Sequence, residues 1–296
     1  MVTLLYIVMI YHLLVRGDCV SIRVIVDSGS NFTAEEVERY DLGWIPLHII
    51  YPDGRVIEDV PERHEGLYDD IAKGILSTSQ PTPEQMRKVF EETLSKYEYG
   101  VYISLSSALS GTYNTAKIVV SEMKTDRIKV IDSKQITVGI DTVVMAMLDE
   151  ISRGVSFDRI EDVFNSIRSR QRFYFMLETL DHLLKSGRIG RARYVVGSIL
   201  KILPLLVIDE DGYINAVEKV RGGAKKLLKV LRRYIEENPP SRHPYMHVVL
   251  GRPRCKGIIP FAEMLKEQYG ATVKLVRPLT GVHVGIWGIG VSYLVD

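Results

Sequence analysis

A serine-rich stretch in the middle of the chain, residues 102–116, contains residue types that could bind an anion. It reads YISLSSALSGTYNTA, in which an apolar run ends in hydroxyl side chains and Gly111-Thr112 opens a helical pattern. The first N–H groups of a helix lack backbone partners and the helix dipole is positive there, so hydroxyls at this junction predict an anion site. The alternative is that Ser110 or Thr112 only caps the helix.

The elements around this stretch predict a doubly wound parallel sheet, because strand and helix patterns alternate through the first half of the chain. The predicted strands are 22–26, 44–51, 56–57, 99–105 and 128–131, and the predicted helices are 33–40, 66–75, 82–97, 112–120 and 137–152. Pro46 interrupts the second strand. Two helices begin with capping boxes, Thr33 with Glu36 and Thr82 with Gln85.

Three of the predicted strands end in hydroxyls or acids. These ends are Asp27-Ser28, residues 104–110 and Asp132-Ser133. Because the carboxyl ends of parallel strands line one crevice, we expect all three along the same edge of the sheet. For Asp132, an ordinary turn residue is the alternative.

The second half of the chain predicts a mixed α/β domain. Its predicted elements are helix 157–170, strand 172–177, helix 180–185, apolar helix 195–202, hairpin 203–220, helix 224–236, strand 246–250, helix 259–268, strand 273–276 and a glycine-rich loop 281–288. Residues 183–191 crowd cations into a turn, where an arginine could hold a carboxylate or phosphate or could remain a solvated charge. We expect an extension 1–21, an N-terminal α/β domain 22–155 and a C-terminal α/β domain 156–296.

Length and composition agree with two α/β domains. The chain has 296 residues, of which 46% are hydrophobic. Lysine and arginine number 38 against 37 acids, so a net charge of +1 provides no field for nucleic acid. Cys19 and Cys255 lie far apart and show no metal-binding spacing, so we expect a cytoplasmic location and no structural zinc. No cofactor is expected.

The N-terminal extension is unusually apolar. Residues 2–15 form about 14 apolar positions, short of the ~20 that a membrane span needs, so we expect no integral membrane span. The residues before Cys19 also lack the small-residue pattern of a lipoprotein cleavage site. Three interpretations stay open: an upstream extension or misplaced start, an apolar docking helix, and an export signal.

Seven short motifs occur in a fixed order between residue 22 and the C-terminus. They are Asp27-Ser28, Ile45-Pro46-Leu47, Thr78-Ser79-Gln80-Pro81, Ser106-Ser107-Ala108-Leu109-Ser110-Gly111-Thr112-Tyr113, Ile131-Asp132-Ser133, Gly187-Arg188-Ile189 and Lys219-Val220-Arg221-Gly222. In this order and spacing they resemble the DegV family of fatty-acid-binding proteins, over residues 22–296.

The resemblance implies a long-chain fatty acid between two domains, with its carboxylate held by polar groups and its tail in an apolar tunnel. In related bacteria such a protein presents the lipid to a separate fatty acid kinase, which phosphorylates the carboxylate. The residues implied in ligand binding are Thr78, Ser79, Ser110, Gly111, Thr112 and His283. Arg188 matches an arginine that the family associates with phosphoryl transfer, and Arg221 matches one associated with the partner contact.

One motif departs from the family. Where the family usually has His-x-Gly-Pro-Gly, this chain reads His283-Val284-Gly285-Ile286-Trp287-Gly288, so two bulky side chains replace a proline and a glycine. We expect Trp287 to block the approach of the backbone to the head group, to stack over the pocket, or to point away into the core.

Two function classes remain. The first is a carrier, not an enzyme, which delivers a fatty acid to a kinase. The second is a self-contained hydrolase or phosphotransferase with Ser110 or Ser107 as nucleophile and His283 as base. No Gly-x-Ser-x-Gly elbow is present, and no Walker loop or Gly-x-Gly-x-x-Gly motif follows residues 22–26, which favours the carrier. Without the family pattern, a structural role is the alternative for His283.

Overall fold

The computed structural model describes residues 21–62, 66–195 and 202–296. In chain order its strands are β1 (Ile22–Asp27), β2 (Gly43–Ile45), β3 (His48–Ile50), β4 (Val56–Glu58), β5 (Ser77–Ser79), β6 (Tyr99–Ser104), β7 (Ile128–Asp132), β8 (Gln171–Leu177), β9 (Ile202–Ile208), β10 (Ile214–Arg221), β11 (His247–Leu250), β12 (Thr272–Leu275) and β13 (Gly288–Leu294). Its α-helices are α1 (Ala34–Arg39), α2 (Leu67–Lys73), α3 (Pro83–Lys96), α4 (Thr112–Met123), α5 (Val138–Ser152), α6 (Ile160–Ser169), α7 (Asp181–Ser186), α8 (Ala224–Glu237), α9 (Ile258–Tyr269) and α10 (Pro278–Val284). Capping boxes at Thr33 and Thr82 begin α1 and α3, as predicted.

A parallel sheet of four strands, in the order β2-β1-β6-β7, organises the segment from β1 to α5, which we call the N-terminal unit. The middle of each central strand is apolar because helices cover both faces of the sheet. Val24 and Val26 belong to the core cluster that includes α5, whereas Ile25 and Tyr102 pack in a second cluster with α3 and α4. The predicted parallel sheet is confirmed. Its strand ends share one edge, where Ser104 lies opposite Asp132.

Pro46 interrupts the predicted strand 44–51, as expected, and the structure divides that strand between two sheets. Residues before the proline form β2, and residues after it form β3 in an antiparallel sheet of order β4-β3-β5. Proline has no N–H to donate to a ladder, and the next N–H, that of Leu47, bonds to Ser28 Oγ at 2.9 Å. Because the strand is divided, β3 is free to pair with β5, and this pairing places Thr78 opposite Ile49.

A sheet of order β10-β9-β8-β13-β11-β12 organises the segment from β8 to β13, which we call the C-terminal unit. Only the β11–β12 pair is parallel among its ladders in the described residues, so the predicted mixed α/β class is confirmed. The predicted hairpin is present as β9 and β10, with a bulge between Ala216 and Glu218.

The predicted glycine-rich loop 281–288 is wrong. Its first residues belong to α10, and Gly288 begins β13, an interior strand of the sheet between β8 and β11. The glycines of β13 do not form a loop but let this strand pack closely against its neighbours. A Cβ atom on Gly290 would lie 2.9 Å from Val249 Cγ1 and 3.0 Å from Phe173 Cε2, so the strand fits only without a side chain there.

Two predicted segments lie almost wholly outside the described residues: the extension 1–21 and the apolar helix 195–202. Ser21 precedes β1 and Ile202 begins β9. The boundary between residues 155 and 156 stays a prediction. Among the described helices, none has both the length and the apolar character that crossing a bilayer requires.

Buried charged side chains join the two units. Arg277, fully buried just before α10, donates to Asp59 Oδ1 at 2.9 Å and to the carbonyl oxygens of Phe32 and Pro61 at 3.1 Å. Lys274 on β12 bonds to Glu36 at 2.7 Å and to the buried Asp141 at 2.9 Å. Both cations belong to the C-terminal unit and their acceptors to the N-terminal unit, so these contacts fix the start of α10 against the N-terminal unit.

Arg277→Met should lower the free energy of unfolding by about 3–5 kcal/mol, because it removes the cation that pairs with the buried Asp59 carboxylate. Chemical denaturation measures the loss. Arg232→Met is the matched control, since Arg232 pairs with Glu236 on the exposed face of α8 and its loss should leave stability close to wild type. Equal stability of the two variants would contradict a structural role for the Arg277 contacts.

Candidate ligand-binding site

A deep pocket lies between the two units. The space between its atoms is about 1020 Å³, a figure that includes the mouth open to solvent. Its wall is mostly apolar and includes Leu47, Leu105 and Leu109 from the N-terminal unit and Phe173, Phe175 and Ile289 from the C-terminal unit. The walls thus come from both sheets, and the pocket exists only where the units meet.

Thr78 and His283 form a polar pair in this wall. Thr78 lies on the edge strand β5 and His283 on the last turn of α10, and His283 Nε2 is 2.8 Å from Thr78 Oγ1. Burial, and to a smaller extent the nearby Arg188 cation, lowers the pKa of His283 to about 4. The imidazole is therefore neutral at pH 7, and its buried Nδ1 has no hydrogen-bond partner in the part of the chain that the structure describes.

Ser110 also lines the pocket, in the turn 105–111, which we call the serine loop. Its Oγ lies 2.8 Å from Thr112 Oγ1 and accepts a long hydrogen bond, 3.4 Å, from the Thr112 N–H at the start of α4. The N-cap position itself is Gly111, so Ser110 supports the helix start only through this long bond. The loop reaches β5, because a Cβ atom on Gly111 would lie 2.7 Å from Gln80 Oε1.

The other predicted binding residues lie at differing distances from the pocket. Ser79 lines it, and its Oγ is 3.4 Å from His48 Nδ1. Gly111 and Thr112 are not among the lining residues: Gly111 is exposed and Thr112 is buried behind the loop. The structure therefore brings Thr78, Ser79, Ser110 and His283 to one pocket and leaves the rest of the turn to support Ser110.

The two predicted arginines are separated. Arg188 is exposed but lines the pocket, and its guanidinium donates to the Ser186 carbonyl at 2.6 Å. Its positive charge helps to lower the pKa of His283. Arg221 ends β10, is exposed and does not line the pocket. Arg191, in the same cationic turn as Arg188, instead pairs with Asp209 and Asp211.

Trp287 points away from the pocket, which is the third of the expected outcomes. Its ring packs at 5.9 Å from the His182 ring, and the Arg254 guanidinium lies 3.9 Å from its centroid. Ile286, the other bulky replacement, is buried and lines the pocket. The altered motif therefore adds an apolar wall residue without obstructing the pocket with the indole.

Asp27 holds the serine loop from behind. Its fully buried carboxylate accepts hydrogen bonds from Tyr102 Oη at 2.6 Å, from the Leu105 N–H at 2.9 Å and from the Gly29 N–H at 2.8 Å. Burial raises the pKa of Asp27 to about 6, although the three hydrogen bonds act in the opposite direction and lower it. Asp132, at the end of β7, accepts hydrogen bonds from the N–H and the hydroxyl of Ser107. It therefore acts as a turn residue and also lies at the edge of the parallel sheet where the strands end.

Three polar residues of the wall were not among the predicted site residues: Gln80, Thr137 and Thr280. Thr280 lies one helical turn before His283, so recognising α10 as a helix would have placed both on one face. Thr137 precedes α5 and carries no comparable signal.

Comparison with known proteins gives consistent matches. A family model described as "Uncharacterised protein, DegV family" matches residues 21–296. A DegV domain-containing protein of Clostridium acetobutylicum is 30% identical over 281 residues, which cover 91% of this chain and 97% of that protein. A DegV family protein from Thermus thermophilus, described for its fatty acid binding, has a TM-score of 0.82 at 21% identity and covers 93% of this chain and 100% of its own. A DegV family protein from Ruminococcus gnavus, refined with vaccenic acid, has a TM-score of 0.78 at 25% identity and the same coverage.

The raised pKa of Asp27 predicts a pH-dependent stability difference. The folded state binds this proton more tightly than the unfolded chain, whose Asp pKa is near 3.8. Above pH 6 the buried Asp27 is ionised, which lowers the free energy of unfolding. This loss of stability decreases as the pH falls from 6 towards 4 and Asp27 is protonated in the folded state. Relative to Asp27→Asn, the wild type should therefore gain about 2.4 kcal/mol of unfolding free energy between pH 7 and pH 4. Denaturation of both proteins across this range measures the difference.

Histidine titrations cancel in that comparison because both proteins contain the same histidines. As a second variant, Tyr102→Phe removes a donor to the Asp27 carboxylate, so it should raise the carboxyl pKa further. A pH-independent difference between wild type and Asp27→Asn would contradict the raised pKa.

Proposed function

The chain belongs to the DegV family, and from that membership we propose that it binds one long-chain fatty acid in the pocket between its two units. The observation that carries the proposal is the pocket itself: a mostly apolar wall from both units with a neutral polar pair, Thr78 and His283, and a further hydroxyl at Ser110. The relatives from Thermus thermophilus and Ruminococcus gnavus, described with fatty acids, support the same ligand class.

The tail supplies the affinity in this proposal. Burial of each methylene group contributes ~0.8 kcal/mol, so a long acyl chain offers roughly 10 kcal/mol before the costs of association. The apolar side chains of both units would cover that chain on all sides. The head-group contacts then orient the ligand rather than provide most of the binding energy.

The head group is proposed to lie at Thr78, Ser110 and His283. A carboxylate accepts hydrogen bonds only, and the Thr78 and Ser110 hydroxyls are donors that bring no buried counter-charge. A neutral imidazole has one N–H, so His283 orients the site by donating from Nε2 to Thr78 Oγ1, which leaves the Thr78 hydroxyl to donate to the ligand. Ser79, Gly111 and Thr112 support this site from β5 and the serine loop.

The hydrolase alternative is disfavoured by the pairing of the hydroxyls. Ser110 contacts Thr112, Ser107 donates to Asp132 at 2.6 Å, and His283 is paired with Thr78. A base for a serine nucleophile also needs an acid or carbonyl on its second nitrogen, and Nδ1 of His283 has no partner among the described residues.

We further propose that the loaded protein presents its lipid to a fatty acid kinase. Arg188 lies at the pocket, where a guanidinium could stabilise a phosphoryl group arriving at the carboxylate. Arg221 is exposed on the C-terminal hairpin, where its charge is available to an acidic partner surface. Such a carrier would act in the cytoplasm, where ATP is present.

Protein purified from cells should contain about one long-chain fatty acid per chain, because the tail contacts make release slow. Organic extraction followed by mass spectrometry measures the bound lipid. Arg221→Ala is the control, since a docking residue outside the pocket should leave lipid content unchanged. Protein that yields no acyl chain and takes up none when offered would contradict the proposal.

Thr78→Val and Ser110→Ala should each weaken oleic acid binding by about 1 kcal/mol, roughly fivefold in the dissociation constant, because each removes one neutral hydrogen bond and leaves the tail contacts in place. Calorimetric titration measures the affinities. Ser107→Ala is the matched control, since Ser107 lies in the same loop but bonds to Asp132 and does not line the pocket. A fall in melting temperature without a loss of affinity would identify the hydroxyls as structural.

A further inference from the structure

His48 lies behind the strand that carries Thr78. It is on β3, opposite Ser79 of β5 in the antiparallel ladder, and is 9% exposed. His48 does not line the pocket, whereas Thr78, Ser79 and Gln80 all do. A contact of His48 with this segment therefore acts on the site from outside the pocket.

The His48 ring contacts the chain beyond the end of β5. The backbone ladder ends at the pair His48–Ser79, and Gln80 is followed by Pro81, which has no N–H to donate. His48 Nδ1 is 3.1 Å from the Gln80 carbonyl oxygen, and Ser79 Oγ is 3.4 Å from the same nitrogen. The ring thus continues the attachment of this segment to β3 past the last backbone pair.

The hydrogen bonds of Gln85 decide which nitrogen of His48 carries the proton. Gln85 Oε1 accepts from the Thr82 N–H at 2.9 Å in the capping box of α3, which fixes the orientation of the amide. The amide NH2 group donates to Glu58 Oε1 at 2.6 Å and lies 3.2 Å from His48 Nε2. Because an NH2 group only donates, Nε2 accepts, and the proton of the neutral ring is on Nδ1, where it donates to the Gln80 carbonyl.

Gln80 connects this contact to both sides of the proposed head-group site. It follows Thr78 by two residues in an extended segment, and both residues line the pocket. Its side chain also reaches the serine loop, where a Cβ atom on Gly111 would lie 2.7 Å from Gln80 Oε1. A displacement of Gln80 would therefore move Thr78 relative to Ser110.

We propose that His48 is a positioning residue for the carboxylate: its Nδ1–H holds the Gln80 carbonyl and so sets the spacing of the Thr78 and Ser110 hydroxyls. This inference rests on the proposed fatty acid binding and adds a residue outside the pocket to head-group recognition. A carboxylate has two oxygens, each of which can accept from one hydroxyl. Its binding therefore depends on the spacing of the two hydroxyls more than the binding of an alcohol, which has a single oxygen.

Two substitutions separate the contacts of the two ring nitrogens. In His48→Asn, the side-chain NH2 group takes the position of Nδ1 and keeps a donor for the Gln80 carbonyl. In the matched variant His48→Gln, the longer amide reaches the position of Nε2 near Gln85 and leaves the Gln80 carbonyl without that donor.

The affinities of delipidated protein for oleic acid and for oleyl alcohol are measured by displacement of a fluorescent fatty acid. The ratio of the two affinities should stay within about twofold of wild type in His48→Asn and fall about fivefold in His48→Gln, the effect of one misplaced hydrogen bond. Melting temperatures of both variants are measured alongside, because a purely structural role would lower stability and leave the ratio unchanged.

A measurement on the wild type does not depend on the folding of any variant. Nuclear magnetic resonance of isotope-labelled histidine at alkaline pH should show the His48 proton on Nδ1. A proton on Nε2, an unchanged ratio in His48→Gln, or a similar fall in both variants would contradict the inference while the proposed function stands. If the wild type binds neither oleic acid nor oleyl alcohol, the proposed function itself fails, and the inference with it.

Discussion

The buried ion pairs between the two units are the constraint on which the pocket depends. A charge inside a protein is costly unless it is paired and hydrogen-bonded, so Arg277 and Lys274 are stable only while Asp59 and Asp141 lie against them. This requirement fixes the start of α10 relative to the N-terminal unit. α10 in turn carries Thr280 and His283 into the pocket wall, so the geometry of the site follows from the geometry of the interface.

The buried charged side chains join the two units, and the wall of the pocket carries almost no charge. Asp27 acts on the site without touching the pocket, through the N–H of Leu105 and the hydroxyl of Tyr102, which hold the serine loop. His283 loses its positive charge through burial. A long apolar chain is compatible with such a wall, whereas a row of buried charges would have to be desolvated each time the ligand exchanged.

The sequence was most informative where the signal is local. Capping boxes, the strand before the serine loop and the hairpin depend on residues close in the chain, and all were predictable. The error at the C-terminus came from contacts between distant segments, because its glycines suggest a loop unless β8 and β11 are known to enclose β13. The interruption at Pro46 was predictable, whereas the sheet that each half of the strand joins depends on distant strands. The family motifs identified Thr78, Ser110 and His283, which the pocket brings into one wall. Thr137 and Thr280 were not predicted as wall residues, because their place in the pocket depends on how the two units meet.

A crystal structure with a fatty acid brominated at its terminal carbon tests the central claim most directly. Anomalous scattering locates the bromine, and the electron density locates the carboxylate. The account predicts the carboxylate within hydrogen-bond distance of Thr78 and Ser110, and the bromine in the apolar part of the pocket beyond them. A reversed ligand, or a ligand bound outside the space between the two units, would contradict it.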